Sequence, residues 1–227
     1  MKFDNLFKTE NRIEIKSVYF DRELSDLLFT INSINGLVNS YPDRYVNSIY
    51  YDTVHLKFAK DNLIGLSARK KTRLRFYKLD GNDRLFYGFN FEEKIKNNKL
   101  GNKLIYKPVD TVKDTIDLKE SLYYEDEDLL VGLHPVSYVK YLRSYYTFNN
   151  SVRLTIDQDI NFTSLFNEVN LNLNTTGMYF PRIVVEVKFN PDDYNLAKNL
   201  LNNFYRAPVR CSKYLSSLAV IGYAQYI

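Results

Sequence analysis

Arg69, Lys71, Arg73 and Arg75 stand at every second position of one short segment, with Leu74 and Phe76 between and beyond them. Side chains of an extended chain alternate between faces, so these four cations share one face. The pattern recurs. Arg12, Glu14 and Lys16 alternate with Ile13 and Ile15; Glu92, Lys94 and Lys96 alternate with Phe91 and Ile95, with Phe89 on the apolar side and Glu93 breaking the pattern. Arg143 lies between Tyr141 and Tyr145 on its own face, Arg153 shares a face with Asp157, and Glu186 and Lys188 oppose Ile183, Val185 and Val187. These faces hold eleven basic and four acidic residues, a net of +7, whereas the whole chain carries +4 and everything else therefore nets −3. A dry core cannot hold that excess. An uncompensated buried ion costs several kcal/mol, and seven would exceed a typical stability of about 5–15 kcal/mol. The face is expected to be wet and to favour an anion, and arginine's bidentate fork suits phosphate oxygens. Glu14, Glu92 and Glu186 read either as ion-pair partners that relieve repulsion or as ligands for a hard cation.

Other chemistries find little support. Cys211, His55 and His134 are scattered, unlike the closely spaced ligands of a structural zinc site. A metal here would be Mg²⁺ or Mn²⁺ on carboxylates and phosphate oxygens. A lone cysteine allows no intrachain disulfide, no stretch approaches the roughly 18 apolar residues of a membrane span, and the N-terminal segment lacks an apolar signal core. The expectation is a cytoplasmic protein without direct membrane insertion. Nucleic acid fits less well, because the net charge is small and Tyr141 and Tyr145 are the only clear stacking candidates beside the basic face.

The elements that must position these residues are mostly strands. Period-two patterning marks 12–18, 45–52, 67–79, 86–97, 103–107, 137–148, 151–160 and 182–189, with turn signals at Gly81-Asn82 and Asn149-Asn150. Helical spacing appears over 21–34, with Asp21 as its N-cap, over 192–205, and from about Ser212. The acidic run 125–128 reads as a loop or first helical turn. This predicts one α+β domain over 1–227, a closed or nearly closed antiparallel barrel with helices outside.

Several segments, in order, resemble the VTC domain, the polyphosphate-polymerase branch of the triphosphate tunnel metalloenzyme superfamily. They are Arg-Ile-Glu-Ile-Lys (12–16), Ser-Ile-Tyr-Tyr-Asp-Thr (48–53), Arg-Lys-Lys-Thr-Arg-Leu-Arg-Phe-Tyr (69–77) and Phe-Glu-Glu-Lys-Ile-Lys (91–96). Tyr-Leu-Arg-Ser-Tyr-Tyr (141–146), Val-Arg-Leu-Thr-Ile-Asp (152–157), Val-Val-Glu-Val-Lys (184–188) and Ser-Lys-Tyr (212–214) complete the set. The resemblance implies an eight-stranded antiparallel tunnel for triphosphate or polyphosphate, with Mn²⁺ or Mg²⁺. It places Arg73, Arg75, Lys94, Arg143, Arg153 and Lys213 on the phosphates. Lys16, Arg69, Lys71, Lys96, Lys103, Lys188 and Tyr141 line the substrate path, and Glu186 is the metal ligand, with Glu14 and Glu92 as further candidates. The hydrolytic CYTH branch opens with Glu-x-Glu-x-Lys; Arg12 in the first position favours the VTC branch. The expected partners are a nucleoside triphosphate and polyphosphate. Eukaryotic VTC domains belong to larger membrane-associated proteins, so vectorial delivery of a product would need a separate membrane partner. Synthesis of polyphosphate, metal-dependent hydrolysis of a triphosphate or polyphosphate, and non-catalytic binding all fit these residues. Glu14 and Asp157 are expected to hold Lys16 and Arg153. Lys213 reads as a phosphate ligand or a surface lysine, and Cys211 as a small apolar residue.

Overall fold

Asn149 and Asn150 both adopt positive φ, 46° and 57°. That is the pair of left-handed residues a two-residue type I′ hairpin turn requires, and Ser151 N donates to the Phe148 carbonyl at 3.1 Å across it. The expected turn therefore forms and joins two long strands. The computed structural model describes residues 8–10, 12–79, 82–97, 100–106, 112–118 and 132–223. Its strands are β1 (Lys8–Glu10), β2 (Ile13–Phe20), β3 (Leu37–Asp52), β4 (Ala68–Leu79), β5 (Asn82–Asn97), β6 (Leu100–Tyr106), β7 (Thr115–Asp117), β8 (His134–Phe148), β9 (Val152–Ser164), β10 (Asn170–Asn172), β11 (Met178–Phe180) and β12 (Arg182–Phe189). The helices are α1 (Leu24–Ser33), α2 (Lys57–Leu63), α3 (Tyr194–Leu201) and α4 (Lys213–Val220). Gly81, Lys107 and the acidic run 125–128 lie outside the described residues.

The main sheet is antiparallel with strand order β1-β6-β5-β4-β3-β8-β9-β12-β2, and β11 adds to β9, while β10 and β7 form a separate pair. This corrects the expected eight-stranded closed barrel in two respects. The sheet has ten strands, and among the described residues no ladder joins its edge strands β1 and β2. Residues 206–209 occupy the free edge of β2 instead: Val209 N donates to the Lys16 carbonyl at 2.8 Å, and Ser17 Oγ to the Arg206 carbonyl at 3.1 Å. The sheet nevertheless curls until Lys94 of β5 lies 3.6 Å from Glu14 of β2.

One flank of the convex side is covered by α1 and α3, where Leu27, Ile31, Ala197 and Leu200 meet Ile156, Ile183, Val185 and Val187. The other packs Phe76, Phe86 and Phe89 against Leu171 and Leu173 beside the β7–β10 pair. Each such side chain contributes roughly 1.5–3 kcal/mol by leaving water. Glu93, which broke the alternation, points to this convex side and forms an ion pair with Lys70. Helix α4 lies on the concave side. Tyr214 and Leu218 pack with Val46, Tyr50, Val139 and Val184, so one end of the concave face is apolar and plugged.

The helix expected over 21–34 begins as a 3-10 turn at Asp21–Glu23. Its N-terminal amide at Phe20 is satisfied by Glu23 at 2.6 Å rather than by Asp21. Asp21 instead accepts from the Tyr179 hydroxyl.

Candidate functional site

Register along the ladder brings the charged positions into three ionic groups on the concave face. Arg73 of β4 faces Glu92 of β5 and reaches it at 2.7 Å through Nε and 2.5 Å through Nη2. Lys103 of β6 binds the same carboxylate at 2.9 Å, and Arg75 approaches to 3.9 Å. Burial alone would push the Glu92 carboxyl up, but the charges of Arg73, Arg75 and Lys103 hold it below the usual carboxylate range. Arg73 also donates Nη1 to the Tyr50 hydroxyl at 3.3 Å.

The second group is centred on Asp157 of β9, which has no exposed surface. Arg143 of β8 faces it across the ladder and donates Nε at 2.5 Å and Nη2 at 2.7 Å. Lys213, the first residue of α4, completes the group. Tyr141 lies beneath both cations, with its ring centroid 5.2 Å from the Arg143 guanidinium and 4.7 Å from Lys213 Nζ. Arg75 Nη2 lies 3.4 Å from the Tyr141 hydroxyl. Burial opposes ionisation of that phenol, but Arg143 and Arg75 outweigh it and lower its pKa.

The third group spans β2 and β12, where Lys16 faces Glu186 and Glu14 faces Lys188. Lys16 lies 2.7 Å from Glu14 and 3.5 Å from Glu186; Lys188 lies 2.6 Å from Glu186 and 3.7 Å from Glu14. Burial and the Glu186 charge push the Glu14 carboxyl up, yet Lys16, Lys188 and Lys94 prevail and hold it down to about 2. Glu186 is likewise held well below its ordinary value: burial raises it, and Lys16, Lys188 and Arg143 lower it more.

Lys71 differs from these cations. It faces Lys94 across the β4–β5 ladder and donates to the hydroxyl of Ser212, the N-cap of α4, at 2.9 Å. Burial, reinforced by Lys16, Lys94 and Arg73, pushes its ammonium down to about 7. Three further polar atoms on this face are buried and find no hydrogen-bond partner among the described residues: Arg75 Nε, Ser48 Oγ and Thr155 Oγ1. Ser48 faces Arg75, and Thr155 faces Glu186. A buried unpaired donor is costly, and these three atoms are enclosed, with essentially no surface of their own.

The concave face thus gathers nine of the expected cations (Lys16, Lys71, Arg73, Arg75, Lys94, Lys103, Arg143, Lys188, Lys213) with Glu14, Glu92, Asp157 and Glu186. Arg69 and Lys96 face each other at one end of β4 and β5, where Arg69 is tied to the Leu66 carbonyl at 2.8 Å. Arg153 is exposed opposite Lys188, and Arg12 is exposed just before β2. Two expectations change. Asp157 holds Arg143 and Lys213, not Arg153, because the β8–β9 register sets Arg143 against it. Glu92 does not join Glu14 and Glu186 in one ligand group, since no cluster of three or more candidate ligands forms among the described residues and Arg73 and Lys103 engage it. Glu14 does hold Lys16, as expected. Ser48, Tyr50, Thr155 and Ser212 joined the site without being assigned to it; Ser48 and Thr155 are short hydroxyl residues in strands, which carry no signal of their own, and Ser212 was read only as a helix start.

The fold is shared with solved structures of other proteins. The PH1819 protein of Pyrococcus horikoshii superposes with a TM-score of 0.55 at 14% identity, over 92% of this chain and 98% of that one. A Vibrio parahaemolyticus protein described as a candidate adenylate cyclase superposes at 0.51 with 15% identity, over 92% of this chain and 97% of that one. At such identities the likeness is one of fold. The chain belongs to the VTC domain family, which matches residues 1–221. No curated protein matches it. Membership fits a triphosphate-tunnel type of function, in the class of phosphate-transfer enzymes, and implies a divalent metal. No helix among the described residues is long and apolar enough to cross a membrane.

Proposed function

We propose that this chain is a single-domain, cytoplasmic polyphosphate polymerase: it transfers the γ-phosphoryl group of a nucleoside triphosphate to the end of a polyphosphate chain held in a basic tunnel. The observation that carries this is the surplus of cations over carboxylates on one concave face. A phosphate chain supplies the missing negative charge.

Arg73, Arg75, Arg143 and Lys213 are oriented by Glu92, Asp157 and Tyr141, so they need not reorganise when charge develops on the transferring phosphoryl group. Lys16, Lys71, Lys94, Lys103 and Lys188 line the chain's path, with Arg69, Lys96 and Arg153 at its margins. Phosphoryl transfer relies mainly on positioning and electrostatics, so no protein nucleophile is needed. The terminal oxygen of the acceptor forms a bond to the γ-phosphorus, the bond to the β–γ bridging oxygen breaks, and the diphosphate leaves with the electron pair.

Glu14 and Glu186 fit a divalent metal. Both carboxyls are held below their ordinary range, the Glu186 charge pushes the Glu14 carboxyl up, and two carboxylates completed by phosphate oxygens suit a small hard cation. Mn²⁺ or Mg²⁺ there would neutralise and polarise the phosphate oxygens. Lys16 and Lys188 balance the two carboxylates until substrate arrives.

Incubation with ATP and Mn²⁺, followed by gel separation of the products, tests the reading. Long-chain polyphosphate is expected. Release of orthophosphate alone would make the protein a hydrolase, and no turnover with tight tripolyphosphate binding would make it a binding module.

A further inference from the structure

The cationic rows end in a cluster of aromatic side chains that phosphate binding leaves unused. Tyr145 follows Arg143 by two residues on β8, and Tyr77 follows Arg75 by two on β4, so each continues a basic row toward the rim. Arg44 of β3 faces Arg143 across the ladder. Its guanidinium lies 4.3 Å from the Tyr77 ring centroid and 5.1 Å from that of Tyr145, whose hydroxyl accepts from Arg44 Nε at 2.8 Å. Tyr41 meets Tyr145 edge-on at 5.9 Å and is 66% exposed. Arg44 is exposed as well.

Folding accounts poorly for this arrangement. A side chain as exposed as Tyr41 leaves little apolar surface to drive folding. An exposed ring beside an arginine, next to a basic groove, is instead the arrangement that stacks a base. The spacing agrees. Two strand residues, about 7 Å, separate Tyr145 from Arg143, a distance a ribose can bridge between a bound phosphate and its base.

We propose that Tyr41, Tyr145 and Arg44 form a nucleobase platform at the rim of the concave face, which selects a nucleoside triphosphate, and a purine over a pyrimidine, against inorganic phosphate chains. The inference rests on the reading of that face as the triphosphate site. The base stacks on the tyrosines, Arg44 covers it or reaches the α-phosphate, and the β- and γ-phosphates extend past Arg143 and Arg75.

Calorimetric titration of the whole chain with ATP, UTP and inorganic tripolyphosphate tests the platform, using the wild type and a Tyr41→Ala/Tyr145→Leu double variant. Base stacking on an aromatic ring typically alters affinity by about 5- to 150-fold. The double variant should therefore bind ATP at least about 10-fold more weakly and tripolyphosphate with unchanged affinity, and the wild type should prefer ATP to UTP. Tyr41→Ala alone, at an exposed position, should weaken ATP several-fold and keeps the test valid if the double variant does not fold. Unchanged ATP binding, or equal weakening of ATP and tripolyphosphate, would overturn the platform. A wild type that fails to bind tripolyphosphate would instead overturn the reading of the concave face.

Discussion

Lys71 shows how far a residue's surroundings can be read from sequence. Its place among Arg69, Arg73 and Arg75 on one face is visible from alternation alone. Its contact with Ser212 spans 141 positions and depends on the curl of the sheet, which alternation does not encode. The same limit applies to Lys94 and Glu14, which meet across the sheet ends, and to Lys213, whose Asp157 partner makes it a cavity residue rather than a surface lysine. Burial and the charges of Lys16, Lys94 and Arg73 push the Lys71 ammonium down to about 7. The unfolded chain keeps its proton up to the ordinary value of 10.5. Between those limits the unfolded state binds more protons, so stability rises with pH. The free energy of unfolding of the wild type should therefore rise between pH 7 and about pH 10 relative to Lys71→Met, as followed by denaturant titration at several pH values. Equal pH dependence of the two proteins would show that Lys71 stays charged in the empty cavity.

At the scale of elements, the long strands and the Asn149-Asn150 hairpin were legible, because each repeats one signal over many residues. The three-residue strands β1, β7, β10 and β11 were not, since they are too short to show a period. Helix α2 was missed for a different reason. It is entered through Leu56 in the left-handed region, φ 54°, and is anchored from outside by Asp52. That carboxylate accepts from Phe58 N at 2.9 Å, Ala59 N at 2.9 Å and the Tyr214 hydroxyl of α4 at 2.6 Å. One buried carboxylate thus ties α2 and the plug helix α4 to the end of β3. Hydrogen bonds to a charged group contribute about 1.5–3 kcal/mol each, so Asp52→Ala should cost at least about 3 kcal/mol in equilibrium unfolding. It should also loosen Lys213 and Ser212, and hence weaken phosphate binding. A loss below about 1 kcal/mol would mean that α4 is held by its apolar contacts alone.

For the whole molecule, the charge argument from sequence identified the face, and the ion-pair role it offered Glu14, Glu92 and Glu186 is one the structure shows. Glu92, Asp157, Glu14 and Glu186 subdivide the face's cations into ion-paired groups, and Asp157 is fully buried while Arg143 keeps part of its surface. Partial neutralisation lets the fold keep the cations close together while leaving a net positive charge. What covers the β2 edge of the sheet was not legible. The segment along the edge of β2 comes from residues 206–209, late in the chain, and no local pattern marks it. The central claim is that a phosphate chain completes this cavity electrostatically, with the partly exposed Arg75 guanidinium as a direct ligand. The most direct measurement is the thermal unfolding midpoint of the wild type and Arg75→Gln with and without tripolyphosphate, at low and high salt. The wild type should gain several degrees with tripolyphosphate and lose much of that gain at high salt, as screening and linkage require. Arg75→Gln should unfold near the wild-type temperature without ligand and gain little with it. An equal gain in both proteins would contradict the account.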